Sequence, residues 1–241
     1  MIEPQRRETA AEQDRKTLAG GVKVAGVSLV ADHDGALFWP EEGVLVVSDL
    51  HLEKGSSFAA RGVLLPPYDT AATLEGLARV IGRYAPRTVI ALGDSFHDDD
   101  GPARLMDQDR STLALLQRGR DWVWIAGNHD SRPVTELGGI SAMTLAIGAL
   151  VFRHEPDRMT RDGEIAGHLH PVARINGLGR VVGRRCFACD GRRMVMPAFG
   201  SFAGGLNVRD RAFTDLFGGL SYTAHVLGAG RLYALPAKRC V

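Results

Sequence analysis

The sequence predicts an α/β chain in which a parallel β-α-β sheet packs face to face on a second, antiparallel or mixed sheet, with helices outside. Three observations carry this. Apolar, β-branched-rich runs of strand length each end abruptly in a polar cluster: "VLVVSDLH" (44–51), "TVIALGDSFHD" (88–98) and "WVWIAGNHD" (122–130). Between them lie stretches with helical spacing. After residue 139 the helical periodicity fades into short runs separated by Gly and Asp.

The elements follow in order. Residues 1–20 are mostly polar and charged, and 1–22 read as a disordered or loosely attached tail, leaving one domain over 23–241. The run "VKVAGVSLV" is too short to span a membrane, and no secretory leader precedes it, so a cytoplasmic protein with no membrane partner is expected. In "YDTAATLEGLARVIGRY" (68–84), Leu74, Leu77, Val80 and Ile81 recur on one helical face, with Pro67 before and Pro86 after. "RLMDQDRSTLALLQRGR" (104–120) is a second amphipathic helix. Strand, helix, strand, helix, strand gives right-handed crossovers, so the three polar clusters emerge at one carboxyl edge. The later runs "ALVF", "EIAGHLH", "GRVVGRR" and "RMVMPAF" supply the second sheet, and the loop "GSSFAARGVLLPP" follows the first cluster.

Composition narrows the function. A net charge of +1 excludes a global electrostatic demand for a polyanion, so any nucleic-acid contact has to come from a local patch. Three cysteines, Cys186, Cys189 and Cys240, do not make a disulfide framework, and the pair in "CFACDG" lacks the second pair a zinc knuckle needs.

The strand ends carry the chemistry. They present Asp49 and His51, then Asp94, then Asn128 and His129, then His154 after "ALVF", then His168 and His170 in "GHLH". Each alone has an ordinary structural reading as a cap or a surface imidazole. As a set they place acid, amide and imidazole at the end of nearly every strand. Carboxylate, amide oxygen and imidazole without thiolate suit Mn, Fe or Zn in a catalytic site. Leaving out His129, there are too many donors for one ion; they suit two ions roughly 3.5–4 Å apart sharing a carboxylate, an arrangement that activates water and clamps a phosphoryl group. His129, next to Asn128, is free to protonate a leaving oxygen, with Asp130 a candidate to hold its ring.

The order D-x-H, G-D, G-N-H-D, a lone His and G-H-x-H, from Val44 to His170, resembles the calcineurin-like metallophosphoesterases. The resemblance implies a four-layer αββα sandwich of two mixed β-sheets flanked by helices. It assigns Asp49, His51 and His170 to one divalent metal ion, Asn128, His154 and His168 to a second, and Asp94 to a bridge between them. It gives His129 the role of general acid. The fourth motif departs from the family's usual Gly-His: here it is "RHEP", and His154 is placed by its position after a strand.

Further stretches, "SDLHLEKG", "LLPPYDT", "GDSFHD", "FRHEP" and "MVMPAFGSFAGGLN", resemble the bacterial ligase-associated (PdeM) group of that family. This implies a Mn-dependent phosphodiesterase acting as a DNA endonuclease, linked functionally to an ATP-dependent DNA ligase and a helicase. Two other readings share parts of the pattern. Lipid-sugar pyrophosphatases also carry "DLHLE" but have Arg where His129 stands, and non-catalytic scaffolds of the fold lack that His. Substrate contacts are sought at His97, Lys54 and Arg61, and at Arg184 and Arg185 within an arginine-rich hairpin that also holds Arg180, Arg192 and Arg193. Asp98, Asp99 and Asp100 read as a solvated acidic turn.

Overall fold

The computed structural model describes residues 19–132, 135–159, 162–177 and 179–241. A first sheet holds, in spatial order, β1 (Ala19–Val24), β2 (Val27–Asp32), β3 (Leu37–Trp39), β4 (Val44–Val47), β5 (Thr88–Leu92), β6 (Asp121–Ile125) and β7 (Ile140–Ala142). Strands β4 to β7 are parallel, and β1 to β4 antiparallel. Strand β1 starts at Ala19, so residues 19–22 belong to the sheet and not to the tail; residues 1–18 lie outside the described residues.

The second sheet is built from β8 (Thr144–Ile147), β9 (Leu150–Arg153), β10 (Glu164–Ala166), β11 (Val172–Gly177), β12 (Arg180–Cys189), β13 (Arg193–Val195), β14 (Thr223–Leu227) and β15 (Leu232–Pro236). Its order is β15-β14-β12-β13-β10-β9-β8, with β11 added beside β12. It is mixed: β10 runs parallel to both β9 and β13, and the remaining pairs are antiparallel.

Side-chain alternation sorts the core into layers. Val44, Val46, Ile90, Leu92, Val123 and Ile125 face the second sheet and pack with Leu150, Phe152, Ile165, Phe187 and Met194. Their alternates Leu45, Val47, Val89, Ala91, Trp122 and Trp124 face outward. There they bury Leu74, Leu77, Val80 and Ile81 of α2 (Asp69–Tyr84) and Leu113 of α4 (Asp107–Gln117). On the far side, Cys186, Ala188, Val195, Ala224 and Val226 cover Phe213 of α5 (Arg211–Phe217). The result is helix, sheet, sheet, helix, the αββα sandwich.

Two local expectations change. The first part of "GSSFAARGVLLPP" is not loop but α1 (Lys54–Ala60), anchored where the Gly55 amide donates to Asp69 Oδ2 (2.9 Å) and the Glu53 amide to Thr70 Oγ1 (2.9 Å). The second amphipathic helix, expected over 104–120, spans only Asp107–Gln117, because Leu105 is extended (φ −53°, ψ 127°) and separates it from a preceding short α3 (Gly101–Arg104).

Candidate metal centre

The parallel strands β4, β5 and β6 stop at one edge, and there the backbone turns sharply. Asp49, His51, Asp94, His168 and His170 all take left-handed conformations, with φ of 53°, 44°, 45°, 67° and 44°. Five non-glycine residues in that region within one site mark stored strain. Cross-links between the turns hold it: the His51 amide donates to Asp94 O (2.9 Å), and the His168 amide to Asp49 Oδ2 (3.2 Å). The motif glycines permit the crowding. A Cβ on Gly127 would stand 2.2 Å from the Asp94 amide nitrogen, and one on Gly167 would stand 2.0 Å from Ser48 Oγ.

All seven expected donors converge. His170 Nε2 lies 3.0 Å from Asp49 Oδ1 and 3.4 Å from His51 Nε2. Opposite them, Asn128 Oδ1 lies 2.9 Å from His168 Nδ1 and 3.0 Å from His154 Nε2. Asp94 stands between: its Oδ1 is 3.3 Å from His154 Nε2, and its Oδ2 is 4.0 Å from His51 Nε2. The donor atoms of Asp49, His51 and His170 lie within 4.8 Å of one another, as do those of Asp94, His154 and His168.

Electrostatics supports a cationic occupant. Burial pushes the His51 imidazole down to about 4, keeping a lone pair available against the nearby carboxylates. Burial also works against a charged His154, yet its bond to Asp94 and the charges of Asp49 and Asp94 prevail and raise it to about 9. For Asp94, burial is outweighed by the bond to His154, which holds the carboxyl far below the usual range. So many nitrogen and oxygen lone pairs facing inward are reconciled by cations. An all-N/O donor set in two groups, with every free cysteine buried elsewhere, fits two divalent metal ions.

Main-chain carbonyls orient these imidazoles. His154 Nδ1 faces Leu92 O (3.1 Å) and His170 Nδ1 faces Gly204 O (3.2 Å), turning each Nε2 toward the cluster. Ser48 Oγ donates to Asp49 Oδ2 (2.5 Å). The carbonyls carry no residue-type signal, so only Ser48 could have been suspected from sequence.

His129 sits at the open mouth, 41% exposed, with Nε2 4.0 Å from Asp94 Oδ2. Its Nδ1 meets the His97 carbonyl at 2.9 Å, and its ring stacks on that of His97 at 5.3 Å. The expected partner Asp130 is not there. Asp130 is buried and accepts from the amides of Ser95 (2.7 Å), Phe96 (3.0 Å) and Gly127 (3.1 Å), so it pins the turn after β5 to the turn after β6.

Of the expected substrate contacts, His97, Lys54 and Arg61 gather beside His129. Phe58 lies 5.4 Å from the His97 ring, Arg61 covers the Phe58 ring at 4.6 Å, and Lys54 Nζ donates to Phe202 O (3.0 Å). Burial, then the charges of Lys54, His129 and Arg61, lowers the His97 pKa. The arginine hairpin is not brought together as a patch. Arg184 is exposed on β12, and Arg185 bonds the Ala198 and Phe199 carbonyls (2.7 and 3.2 Å). Arg192 pairs with Asp162, and Arg193 is buried against Glu164 (3.0 Å).

Residues 43–220 match the model of the calcineurin-like phosphoesterases. The chain belongs to the calcineurin-like phosphoesterase family. Solved structures agree. One, the Pseudomonas putida nuclease MPE, superposes with a TM-score of 0.68 at 25% identity, covering 90% of this chain and 100% of that one. No curated protein matches the sequence. As a calcineurin-like phosphoesterase the chain is a phosphoester-hydrolysing enzyme, and no helix among the described residues is long and apolar enough to cross a membrane.

Proposed function

We propose that the chain is a Mn-dependent phosphodiesterase that cuts DNA internally. The observation that carries the reading is His129: an exposed imidazole at the mouth, beside the bridging carboxylate but outside both donor groups, as cleavage of an ester with a poor leaving group requires. With Nδ1–H held by the His97 carbonyl, a second proton goes to Nε2, which faces the cleft and donates to the departing oxygen. Asp49, His51 and His170 would hold one ion, Asn128, His154 and His168 the other, and Asp94, whose two oxygens face the two groups, would serve both. When bound, the ions activate water and neutralise phosphate charge. Lys54, Arg61 and His97 contact the scissile group from α1 and the turn after β5, and exposed Arg184 contacts the strand farther out. The likeness to a nuclease along the full length of that protein supports nucleic acid as substrate.

Chelation is expected to abolish cleavage of both a nitrophenyl diester and a DNA oligonucleotide, with Mn²⁺ restoring each more fully than Zn²⁺ or Mg²⁺. Retained activity in metal-free protein would sink the mechanism. The reading extends to a repair system with an ATP-dependent DNA ligase and a helicase, supported by "LLPPYDT" and "MVMPAFGSFAGGLN". It requires product ends that such a ligase can reseal, 5′-phosphate and 3′-hydroxyl, and 5′-hydroxyl ends would remove the link.

A further inference from the structure

A cavity of about 380 Å³ lies beside the metal centre, lined by Arg185, Arg79, Asp34, Thr73, Ser201 and Phe202 among others. It shares a wall with the centre. In the strip 199–204, the Phe199 amide donates to Ser48 O (2.8 Å), the Gly200 amide to Asp49 O (3.2 Å), and Gly204 O takes the Nδ1 of His170 (3.2 Å). The other side of the strip bounds the cavity.

Its chemistry is cationic with an aromatic lip. Arg185 spends one nitrogen on the two carbonyls already named. Its Nε and Nη2 donate to nothing among the described residues, and no carboxylate there lies within ion-pair distance, Asp34 acting on it only through its charge from farther away. Asp34, which also faces the cavity, is engaged by Arg83 at 3.0 Å, and Arg79 holds Glu75 only through an exposed surface pair (3.2 Å) that solvent screens. Phe202 stands at the lip, 55% exposed and left-handed (φ 59°), its carbonyl gripped by Lys54. An underused, half-buried guanidinium is suited to a phosphate, and an exposed aromatic ring to a base face.

We infer that this cavity is a subsite for the nucleotide next to the cut, with Arg185 and Arg79 on its phosphate and Phe202 against its base. The inference rests on the nuclease reading and adds to it a place outside the metal centre where the substrate chain is held. It also gives a role to Phe202, whose ring is exposed although its backbone is held in the left-handed region.

The test compares a short DNA oligonucleotide with bis(p-nitrophenyl) phosphate, which has no second phosphate. Arg185→Gln removes the charge and keeps a polar but shorter side chain. It should raise KM for the oligonucleotide roughly tenfold or more, leave kcat nearly unchanged, and leave the nitrophenyl diester unaffected. Arg185→Lys should recover part of the loss. Phe202→Ala should raise the same KM about fivefold or more. Equal losses on both substrates would mean that Arg185 only props the strip, and no change on either would mean that the cavity is unused; both overturn the subsite. If Arg185→Gln does not fold, Arg79→Ala and Phe202→Ala, both at exposed positions, decide by the same criterion. A wild-type protein that hydrolyses the nitrophenyl diester but no oligonucleotide overturns the nuclease reading itself, and the subsite with it.

Discussion

The rim of strand ends and the arginine-rich segment 180–193 look alike in sequence, each dense in one kind of chemistry, yet only the rim brings its residues together. The rim donors come from positions as far apart as Asp49 and His170, which meet at 3.0 Å. The arginines are near neighbours in sequence and scatter. Arg184 is exposed and Arg185 turns to the Ala198 and Phe199 carbonyls; Arg192 and Arg193 leave the hairpin and pair with Asp162 and Glu164. The difference follows from strand geometry. Parallel strands end at a common edge, so residues after successive strands converge. Along one strand, side chains alternate between faces, so a run of like residues diverges.

The sharpest way to break the rim is at the one residue that both halves use. Asp94→Asn is expected to lower turnover by on the order of 10²-fold or more and to reduce metal content in the same protein, because its two oxygens face the two donor groups. Atomic-absorption metal content together with rate on a nitrophenyl diester checks this; a full metal complement with a wild-type rate would remove Asp94 from the centre. His129→Ala separates proton transfer from metal binding. It should cost about 10² to 10⁴ in rate on an oligonucleotide, whose leaving oxygen needs a proton, and far less on nitrophenolate, which leaves as a stable anion. Metal content should hold. Equal losses on the two substrates would make His129 structural.

This contrast also explains what the sequence made legible. Strand-length runs ending in D-x-H, G-D and G-N-H-D reveal both the parallel sheet and its functional edge, because one physical event, the end of a strand, produces both signals. The layers follow from alternation in β4 to β6. Asp130 departs from expectation for a definite reason: sequence adjacency to His129 suggests a side-chain contact, whereas its carboxylate is consumed by three backbone amides. The atoms that orient His129, His154 and His170 are carbonyls of His97, Leu92 and Gly204, which any residue would supply. Helix α1 was hidden because its anchors, Asp69 and Thr70, lie beyond two prolines in the sequence.

The arginine segment yields a stability effect at its inner end. Arg193→Ala leaves the buried Glu164 with only the longer contact to Arg153 (3.5 Å), and also removes the donor to the Asp157 carbonyl (2.7 Å). Leaving a buried charge wholly unpaired costs about 3–5 kcal/mol, and the remaining Arg153 contact holds the expected loss toward the lower end of that range. Chemical denaturation should show that loss, with the metal-dependent rate of the folded fraction retained. A change below about 1 kcal/mol would place Arg193 with the solvated arginines and weaken the claim that the segment diverges.

The smallest effect belongs to the outer face, where Arg184 is exposed and, among the described residues, bonds only its neighbour's carbonyl, Gly183 O. Arg184→Ala should leave folding stability within about 0.5 kcal/mol, as surface substitutions do. Its consequence is confined to salt dependence. Each phosphate neutralised contributes about 0.7 to 0.9 to the slope of log affinity against log salt. Binding of an oligonucleotide to the His129→Ala protein, measured across salt concentrations with and without Arg184→Ala, should therefore lose about one such increment, while the affinity at high salt converges. An unchanged slope would mean that this face of β12 meets solvent alone. The DNA would then be held entirely from the rim and its adjoining cavity, and the two regions would differ in function as fully as they differ in geometry.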